Sequence, residues 1–495
     1  MTNTLINEHV TQQNTFLDSY TAALLATLRN AVTRATQLHR DIIASFTLPI
    51  ERFDTIQAFT GVQQAGLGEV FSWEQPSEQN ALIGIGTETT IETTSAIDAA
   101  AQWRELLQDA VISCANTAQE LDAVHGYGPV FFGGFAFDPD NQHTQLWSGF
   151  PDGLLILPRF LLRYTKVSTT LTINVLLHAE DDVERCFHTL GNETQHLLKA
   201  IRRVGEEGET GETGRQEGSP LHVDTLPAAV WMQKVAEVAH DIRDGLFEKV
   251  VLARSVQVTP QMGTSFAISA VLSRLRQSYP GTYIFALQRG GRFFVGATPE
   301  RLVQAQDGLI HTMALAGSAP RGATQAEDEQ LGAELLQSEK NGIEHAVVVA
   351  TVREALLAHC SMVHVSDIPH LLKLKNVQHL ETPIVGELLP GRCILDIIAD
   401  LHPTPAVGGF PRQEALATIR RVEQLDRGWY AGPLGWIGAD GHGEFAVALR
   451  SGLVTEHEAT LFAGCGIVGD SDPQSEYAES CLKLQGMLRG LGEQN

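Results

Sequence analysis

The chain has 495 residues, of which 43% are hydrophobic and 19% charged; this balance is typical of folded globular proteins and excludes a largely disordered chain. Its 35 lysines and arginines are outnumbered by 59 aspartates and glutamates, and the formal net charge of -24 disfavours binding to nucleic acid or to anionic membranes. An anionic substrate would therefore have to meet a local cluster of cations or a metal ion.

The cysteines and the apolar segments indicate the cellular compartment. Six cysteines are spread along the chain without a CxxC pair, a pattern that suits a reducing environment and argues against a structural zinc site. The N-terminus lacks a basic and apolar leader, and no run of about 18 apolar residues occurs. We therefore expect a cytoplasmic protein with neither a membrane nor a nucleic acid as partner.

The first two regions of the chain differ in periodicity. Residues 1–120 begin with apolar residues that recur at three and four and predict a helix, namely Leu17, Tyr20, Leu24, Leu25 and Leu28. This region is either a variable helical extension or part of a larger unit. Residues 121–203 are rich in β-branched and aromatic residues between Gly, Pro and Asp turns, which predicts a strand-rich part of the core.

A change of composition separates these regions from the rest. Residues 204–224 are rich in Gly, Glu and Thr and have few large apolar side chains, which predicts a flexible acidic linker or loop. Residues 225–495 alternate between helical and strand patterns and predict a mixed α/β domain. Its clearest elements are helices at AAVWMQKVAEVAHDIRDG and ISAVLSRLRQS, and strands at EKVVLARSVQV, TYIFALQ and RFFVGAT.

Lys249 is the first candidate for catalysis. It lies in a segment of period two, where it shares one face with Phe247, Val251 and Ala253. Apolar surroundings disfavour a charged amine and lower its pKa, which is what a lysine needs to act as a base. The alternative is a lysine at a strand end that extends into solvent.

Two turns offer further candidates. Glu300 follows a strand and a Gly-Ala-Thr-Pro turn, where it is either a catalytic carboxylate or a residue of a helix N-terminus that starts at Pro299. Gly317 and Ser318 lie in the small-residue segment ALAGSAPRG, where main-chain N–H groups can approach an anion. An ordinary turn is the alternative there.

Acidic residues on two predicted helices form a third set. Glu344 precedes a run of valines and lies near the buried stripe of its helix. Near the C-terminus a strand, a Gly-rich turn and a helix follow each other, and the helix carries Glu476, Glu479 and Lys483 on one face. This face could bind a hard divalent cation, or it could be a solvated face with salt bridges.

Nine segments, in order from Ala228 to Leu491, resemble the chorismate-utilising enzymes, the family of anthranilate, aminodeoxychorismate, isochorismate and salicylate synthases. The segments are FEKVVLAR, GATPERL, ALAGSAPRG, SEKNGIEHAVVV, NVQHLETPIVGEL, LHPTPAVGGFPR, RGWYAGPLGW, FAVALRSG and AGCGIVGDSDPQSEYAESCLK. The resemblance implies an α/β (α+β) fold of two stacked, largely antiparallel sheets with helices packed outside, and it implies a chorismate-binding catalytic domain at 225–495.

The resemblance also assigns residues to the substrate. Arg450, with the turn of Gly464 and Gly466, matches the clamp for the enolpyruvyl carboxylate of chorismate, and an arginine fork suits that planar group. Lys483 resembles a second carboxylate contact. The remaining substrate-binding positions implied by the matching segments are Gly317, Ser318, His379, Thr382 and Tyr430.

The resemblance further implies a cofactor and two proton-transfer residues. Glu344, Glu476 and Glu479 match carboxylates that hold Mg²⁺, which bridges to the ring carboxylate of chorismate. Lys249 matches the base that activates water, and Glu300 matches the acid that protonates the leaving hydroxyl. The pKa of the lysine should therefore be lowered and that of the glutamate raised.

Two positions favour one branch of the family. Anthranilate synthases carry glutamine where Lys249 stands, and aminodeoxychorismate synthases carry lysine where Ala316 stands. The expected activity is therefore that of an isochorismate synthase that needs no glutaminase subunit, and the long N-terminal region resembles the menaquinone type. Salicylate synthase is the first alternative, although the HLETP segment favours release of isochorismate, and anthranilate or aminodeoxychorismate synthase component I is the second.

Overall fold

The computed structural model describes residues 20–115, 127–206, 219–373 and 377–494. Within them the chain forms eleven α-helices: α1 (Thr21–Leu38), α2 (Thr55–Ala65), α3 (Ala96–Leu107), α4 (Val183–Glu206), α5 (Ala228–Arg243), α6 (Ile268–Ser278), α7 (Gln325–Gln337), α8 (Glu339–Leu357), α9 (Ile394–Leu401), α10 (Arg412–Val422) and α11 (Pro473–Gly490). None of these described helices combines the length and the apolarity that crossing a membrane requires.

The strands fall into an N-terminal and a C-terminal group. The first group is β1 (Ile42–Pro49), β2 (Val70–Gln75), β3 (Asn80–Ile85), β4 (Thr89–Glu92), β5 (Val111–Cys114), β6 (Val130–Phe135), β7 (Gly153–Leu157), β8 (Phe160–Tyr164) and β9 (Thr169–Leu177). The second group is β10 (Leu221–Asp224), β11 (Lys249–Thr259), β12 (Tyr283–Arg289), β13 (Arg292–Thr298), β14 (Arg301–Gln306), β15 (Leu309–Pro320), β16 (Cys360–Val365), β17 (His370–Lys373), β18 (Val377–Leu388), β19 (Gly409–Phe410), β20 (Pro433–Gly438), β21 (Gly443–Val447), β22 (Ser451–Val454) and β23 (Ala459–Ile467).

These strands build two large sheets. The first has 13 strands in the order β10-β11-β23-β22-β13-β12-β2-β3-β8-β9-β1-β5, with β19 paired to β11. The second has 10 strands in the order β16-β18-β15-β14-β21-β20-β6-β7-β4, with β17 paired to β18. β1 pairs with β5 in parallel, and the other neighbours are antiparallel. The predicted fold class, α/β with two largely antiparallel sheets, is confirmed.

Two hydrophobic cores explain why the sheets stack. One core lies between the sheets, where the rings of Phe71 on β2 and Phe132 on β6 are 4.1 Å apart. The other lies between the outer face of the first sheet and a layer of helices, where Phe59 on α2 packs on Phe293 of β13. Because strand residues alternate between faces, one sheet can supply apolar side chains to both cores.

The N-terminal region is part of this architecture. The helix predicted there is α1, which begins at Thr21; Leu17 lies outside the described residues. Strands β1, β2, β3 and β5 enter the first sheet and β4 enters the second, so the described part of residues 1–120 completes the larger unit and is not a separate extension.

The predicted linker at 204–224 is shorter than expected. Residues 204–206 form the last turn of α4, and Leu221–Asp224 form the edge strand β10, which pairs with β11. Leu221 and Val223 are exposed on that strand, so its formation depends on backbone pairing rather than on burial, which composition does not reveal. The stretch 207–218 lies outside the described residues.

Candidate active site

Lys249 is the first residue of strand β11 and extends into a cleft that helix α8 also borders. β11 pairs with β23, with Val251 opposite Gly466. A Cβ atom at Gly466 would lie 3.1 Å from Cε of Lys249, so the glycine makes room for the lysine chain. Nζ of Lys249 contacts Oε1 of Glu344 at 3.1 Å, across 95 positions of sequence. The amine therefore has an acidic partner, whereas the strand pattern predicted only apolar neighbours.

Glu300 lies opposite this lysine, in the two-residue link between β13 and β14. No helix begins there, so the helix N-terminus interpretation of Pro299 and Glu300 is wrong. Burial raises the pKa of Glu300 to about 7, against the opposing effects of Lys483, Lys249 and Arg450. The predicted direction of this pKa is confirmed, and the carboxyl is protonated in a substantial fraction of molecules at neutral pH.

The turn predicted at Gly317 is a β-bulge. β15 and β18 shift register between Ala316 and Ser318, and Gly317 takes a φ of +75°, where a side chain would be strained. The bulge brings Ser318 beside His379 on β18, and Oγ of Ser318 is 2.8 Å from Nδ1 of His379. Burial and the nearby Lys483 lower the pKa of His379, which favours the neutral imidazole.

Thr382 lies behind this turn. It is buried, and its Oγ1 is 2.7 Å from Nε2 of His345, while Nδ1 of the same ring is 3.2 Å from the carbonyl oxygen of Ala316. Because a carbonyl only accepts, Nδ1–H donates to Ala316 and Nε2 accepts from the Thr382 hydroxyl. The hydroxyl proton of Thr382 is therefore directed at His345 on helix α8, so a hydrogen bond donated by Thr382 to the substrate would require that bond to break.

Cations form the other wall of the cleft. Nζ of Lys483 on α11 is 2.7 Å from Oε1 of Glu479 and donates to the carbonyl oxygen of Gly464 at 2.8 Å. Arg450, with a φ of +49°, donates from Nη1 to the carbonyl oxygen of Lys483 at 3.3 Å. The structure therefore brings together the cations predicted to bind the substrate carboxylates, although the net charge of the chain is negative.

Tyr430 lies close to Gly464, which together with Gly466 belongs to strand β23, so the turn predicted at these two glycines is wrong. Its ring is buried and stacks on Phe462 with centroids 5.2 Å apart. A Cβ atom at Gly464 would lie 3.4 Å from the Tyr430 hydroxyl and 3.2 Å from the carbonyl oxygen of Leu252, so a side chain there would crowd both. The glycine therefore lets β23 lie close to the tyrosine, another residue predicted to bind the substrate.

Two of the three predicted metal carboxylates lie together. Ligand atoms of Glu476, Glu479 and Cys465 all fall within 4.8 Å of one another. Burial raises the pKa of the Cys465 thiol to about 12, and its Sγ donates to the carbonyl oxygen of Glu476. A protonated thiol is a poor ligand, so the donor set that remains is two carboxylates, which fits a hard cation such as Mg²⁺.

Glu344 is not part of that group in the structure. Its carboxylate faces the same cleft from α8 and contacts Lys249, with 35% of the side chain exposed. Glu476 accepts from Oγ of Ser471 at 2.7 Å, and burial raises its pKa. The three glutamates thus come from two helices on one cleft, and Glu344 would have to turn from the lysine to join the other two.

Sequence reasoning missed the residues that hold these helices in place. Arg254 on β11 is buried, donates from Nε to Ser480 at 2.6 Å and lies over the ring of Tyr477, which fixes α11. Arg427 donates to the carbonyl oxygen of Val251 at 2.7 Å and pairs with Glu423 at 2.6 Å, which fixes β11. Arg254, His345 and Arg427 all lie inside the segments that resemble the family. Their burial would have identified them, but local periodicity does not show that a polar side chain is buried.

Comparisons with known proteins show which family the chain belongs to. The chorismate binding enzyme family matches residues 29–492. The isochorismate synthase MenF of Bacillus subtilis is 35% identical over 469 residues, covering 94% of this chain and 96% of that protein. A salicylate biosynthesis isochorismate synthase of Pseudomonas aeruginosa is 36% identical over 471 residues, covering 95% of this chain and 94% of that protein.

A solved structure gives the same result for the fold. The menaquinone-specific isochorismate synthase MenF from Escherichia coli superposes with a TM-score of 0.70 at 26% identity and covers 94% of this chain and 99% of its own. The match to the family spans both sheets and includes every residue of the candidate site. The chain therefore belongs to the family of chorismate binding enzymes.

Proposed function

We propose that the protein is an isochorismate synthase, which converts chorismate to isochorismate by adding water at C2 while the C4 hydroxyl leaves. One observation carries the proposal. Lys249 on β11 and Glu300 in the link between β13 and β14 reach the same cleft, close enough for the lysine to affect the pKa of the glutamate. A basic and an acidic group in one site are what paired proton transfers need. The names of the relatives from Bacillus subtilis and Escherichia coli support this reaction.

The cations of the cleft bind the substrate in this proposal. Chorismate is a dianion, and Arg450 and Lys483 offer a guanidinium and an ammonium on one wall. His379 is held by Ser318, which the bulge at Gly317 places beside it. These contacts orient the ring so that C2 faces Lys249 and the C4 hydroxyl faces Glu300.

Two proton transfers complete the reaction. The Glu300 carboxyl donates its proton to the C4 oxygen, the C4–O bond breaks, and a water molecule leaves. A second water forms the new bond to C2 and gives a proton to Nζ of Lys249, which acts in its uncharged form. One water is lost and one is gained, so the product is an isomer of the substrate.

We further propose that Mg²⁺ is the cofactor, held by Glu476, Glu479 and Glu344. When bound, the ion supplies positive charge that binds the ring carboxylate and draws electron density from the ring. Glu479→Ala should raise the Mg²⁺ concentration for half-maximal activity and the KM for chorismate together. Glu354→Ala, an exposed carboxylate on α8, is the matched control and should change neither.

The reaction is tested by incubating the protein with chorismate and Mg²⁺, without glutamine or ammonia, and identifying the product by chromatography and mass. Isochorismate that carries ¹⁸O at C2 when the reaction runs in H₂¹⁸O supports the proposal. Salicylate with pyruvate would indicate a salicylate synthase instead. An aminated product formed only with ammonia would indicate an amine-adding enzyme that needs a glutaminase subunit. The absence of any product would contradict the assignment.

For the pathway we propose menaquinone biosynthesis in the cytoplasm. By sequence, the isochorismate synthase MenF of Bacillus subtilis matches 94% of this chain, whereas the isochorismate synthases DhbC of Bacillus subtilis and EntC of Escherichia coli match 56% and 52% of it. The solved MenF of Escherichia coli is the menaquinone-specific enzyme. Deletion of the gene should abolish menaquinone while catechol siderophores persist. Loss of siderophores with normal menaquinone would contradict this choice of pathway.

A further inference from the structure

A cavity lies next to Glu300. It has an empty volume of about 360 Å³, its open mouth included, and is bounded by β14, β15, helix α8 and the segment that follows α9. Its wall combines apolar side chains, among them Leu302, Leu315, Val348 and Val352, with polar residues that include Arg301. Lys249, Lys483 and Arg450 are not among its lining residues, so the cavity is separate from the cation wall of the cleft.

Thr404 is one of the polar residues of this wall. Its hydroxyl oxygen is buried and has no hydrogen-bond partner among the described residues. The hydroxyl of Thr312, which lines the same cavity, already donates to the carbonyl oxygen of Leu302 at 2.6 Å. Buried hydroxyls without a protein partner are usually satisfied by ordered water, and a water site needs both space and polar partners. Thr404 and Glu300 both line this cavity, as does Arg301, whose buried Nε also has no hydrogen-bond partner among the described residues.

We propose that this cavity holds water, bound by Thr404, that returns a proton to Glu300 after each turnover. The inference rests on the proposed function, in which Glu300 gives its proton to the leaving C4 oxygen. The Glu300 carboxylate then takes a proton from the cavity water, which takes one from solvent. The Lys249 ammonium releases its proton to solvent, so the cycle closes without net proton change.

The surroundings of Glu300 make such a route useful. Lys483, Lys249 and Arg450 act on Glu300 from the substrate side, and each favours the carboxylate after the proton has left. Burial has the larger effect and favours the neutral acid, so a route for protons restores the form that burial prefers. Thr404 acts through this water and is a positioning residue.

The test compares Thr404→Val, which removes the hydroxyl at nearly constant volume, with Thr404→Ser, which keeps it. The main-chain oxygen of Thr404, which accepts from the N–H groups of Val407 and Gly408, is unchanged in both variants. We expect kcat of the valine variant to fall about tenfold, within the range of proton-transfer effects. Its kcat/KM should stay near the wild-type value, because the proton returns after the product has left. The serine variant should behave like the wild type.

Two further readouts separate a proton route from a structural effect. The solvent deuterium isotope effect on kcat should increase in Thr404→Val, and imidazole buffer should restore part of its rate. Val352→Phe fills the cavity from the opposite wall and should reproduce the loss of kcat if Thr404→Val does not fold. A crystal structure of the wild type should contain an ordered water within hydrogen-bond distance of Oγ1 of Thr404.

The outcomes are distinct from those of the proposed function. If the wild type makes isochorismate but Thr404→Val matches it in kcat and isotope effect, the proton route is wrong and the reaction stands. A crystal structure with a dry cavity would also overturn the route. If the wild type makes no isochorismate, the proposed function fails, and the route fails with it.

Discussion

Lys249 and Glu300 face one cleft but are held in different ways. Lys249 is the first residue of a strand, its side chain is 20% exposed, and it is paired with the carboxylate of Glu344 on helix α8. Glu300 lies in a short link between strands, and burial dominates its pKa in spite of three nearby cations. The comparison teaches that two groups of one cleft can have different surroundings: the lysine has an ion-pair partner on helix α8, and the glutamate is surrounded by protein.

The largest effect that would sharpen this comparison is expected from Lys249→Ala. Removing the amine should lower kcat by about 10²–10⁴-fold, because the proposed reaction uses this amine to take the proton of the attacking water. Chorismate should still bind in the presence of Mg²⁺, as measured by calorimetry. Lys234→Ala, on helix α5 away from the cleft, serves as control. Normal turnover of Lys249→Ala would show that the base has been misassigned.

Glu300→Gln is expected to have a similar or slightly smaller effect. The amide fills the same space but cannot donate an acidic proton to the leaving hydroxyl, so kcat should fall by about 10²–10³-fold. Steady-state assays with chorismate measure this loss. Glu300→Asp, which keeps an acid on a shorter chain, should retain more activity than the amide. Equal activities of the aspartate and glutamine variants would argue against a proton transfer from this residue.

The pH dependence distinguishes the two groups. Because the proposed reaction uses protonated Glu300, and the pKa of this group is raised to about 7, kcat/KM should fall as pH rises through about 7. The loss should approach about tenfold per pH unit on the alkaline side. Measurement of kcat/KM between pH 5 and 9 in wild type and Glu300→Gln checks this. The decrease of kcat/KM at alkaline pH should be absent from Glu300→Gln. A decrease that persists in this variant would belong to the titration of another group.

The smallest effect is expected from Gly466→Ala. A Cβ atom at this position would lie 3.1 Å from Cε of Lys249, so the lysine side chain must shift by a few tenths of an ångström. We expect a loss of kcat of roughly 2–10-fold, since small misplacement of a reacting group costs rate. Gly391→Ala serves as a control. Gly391 lies in a turn with open space around it, so this substitution reports only the effect of an added Cβ atom on the backbone conformation. A variant as active as wild type would show that the position of the lysine is not constrained here.

Local patterns predicted the elements well, because periodicity reports which face of a helix or strand is buried. The helix Ala228–Arg243 and the strand that begins at Lys249 follow the expected segments closely, and the raised pKa of Glu300 has the expected direction. The ion pair of Lys249 with Glu344 and the bond of His345 to Thr382 join residues 95 and 37 positions apart. No period of 2 or 3.6 residues contains such pairings, which arise only when the sheets close on the helices.

The pairing of β2 with β12 has a consequence for how the protein can be divided. These two strands, one from each half of the chain, meet in the middle of the first sheet, with Trp73 opposite Phe285. A fragment that starts at residue 225 would leave the backbone of β12 as an open edge, and such edges recruit strands from other molecules. We therefore expect that fragment to aggregate, and the two halves to unfold together as one cooperative unit.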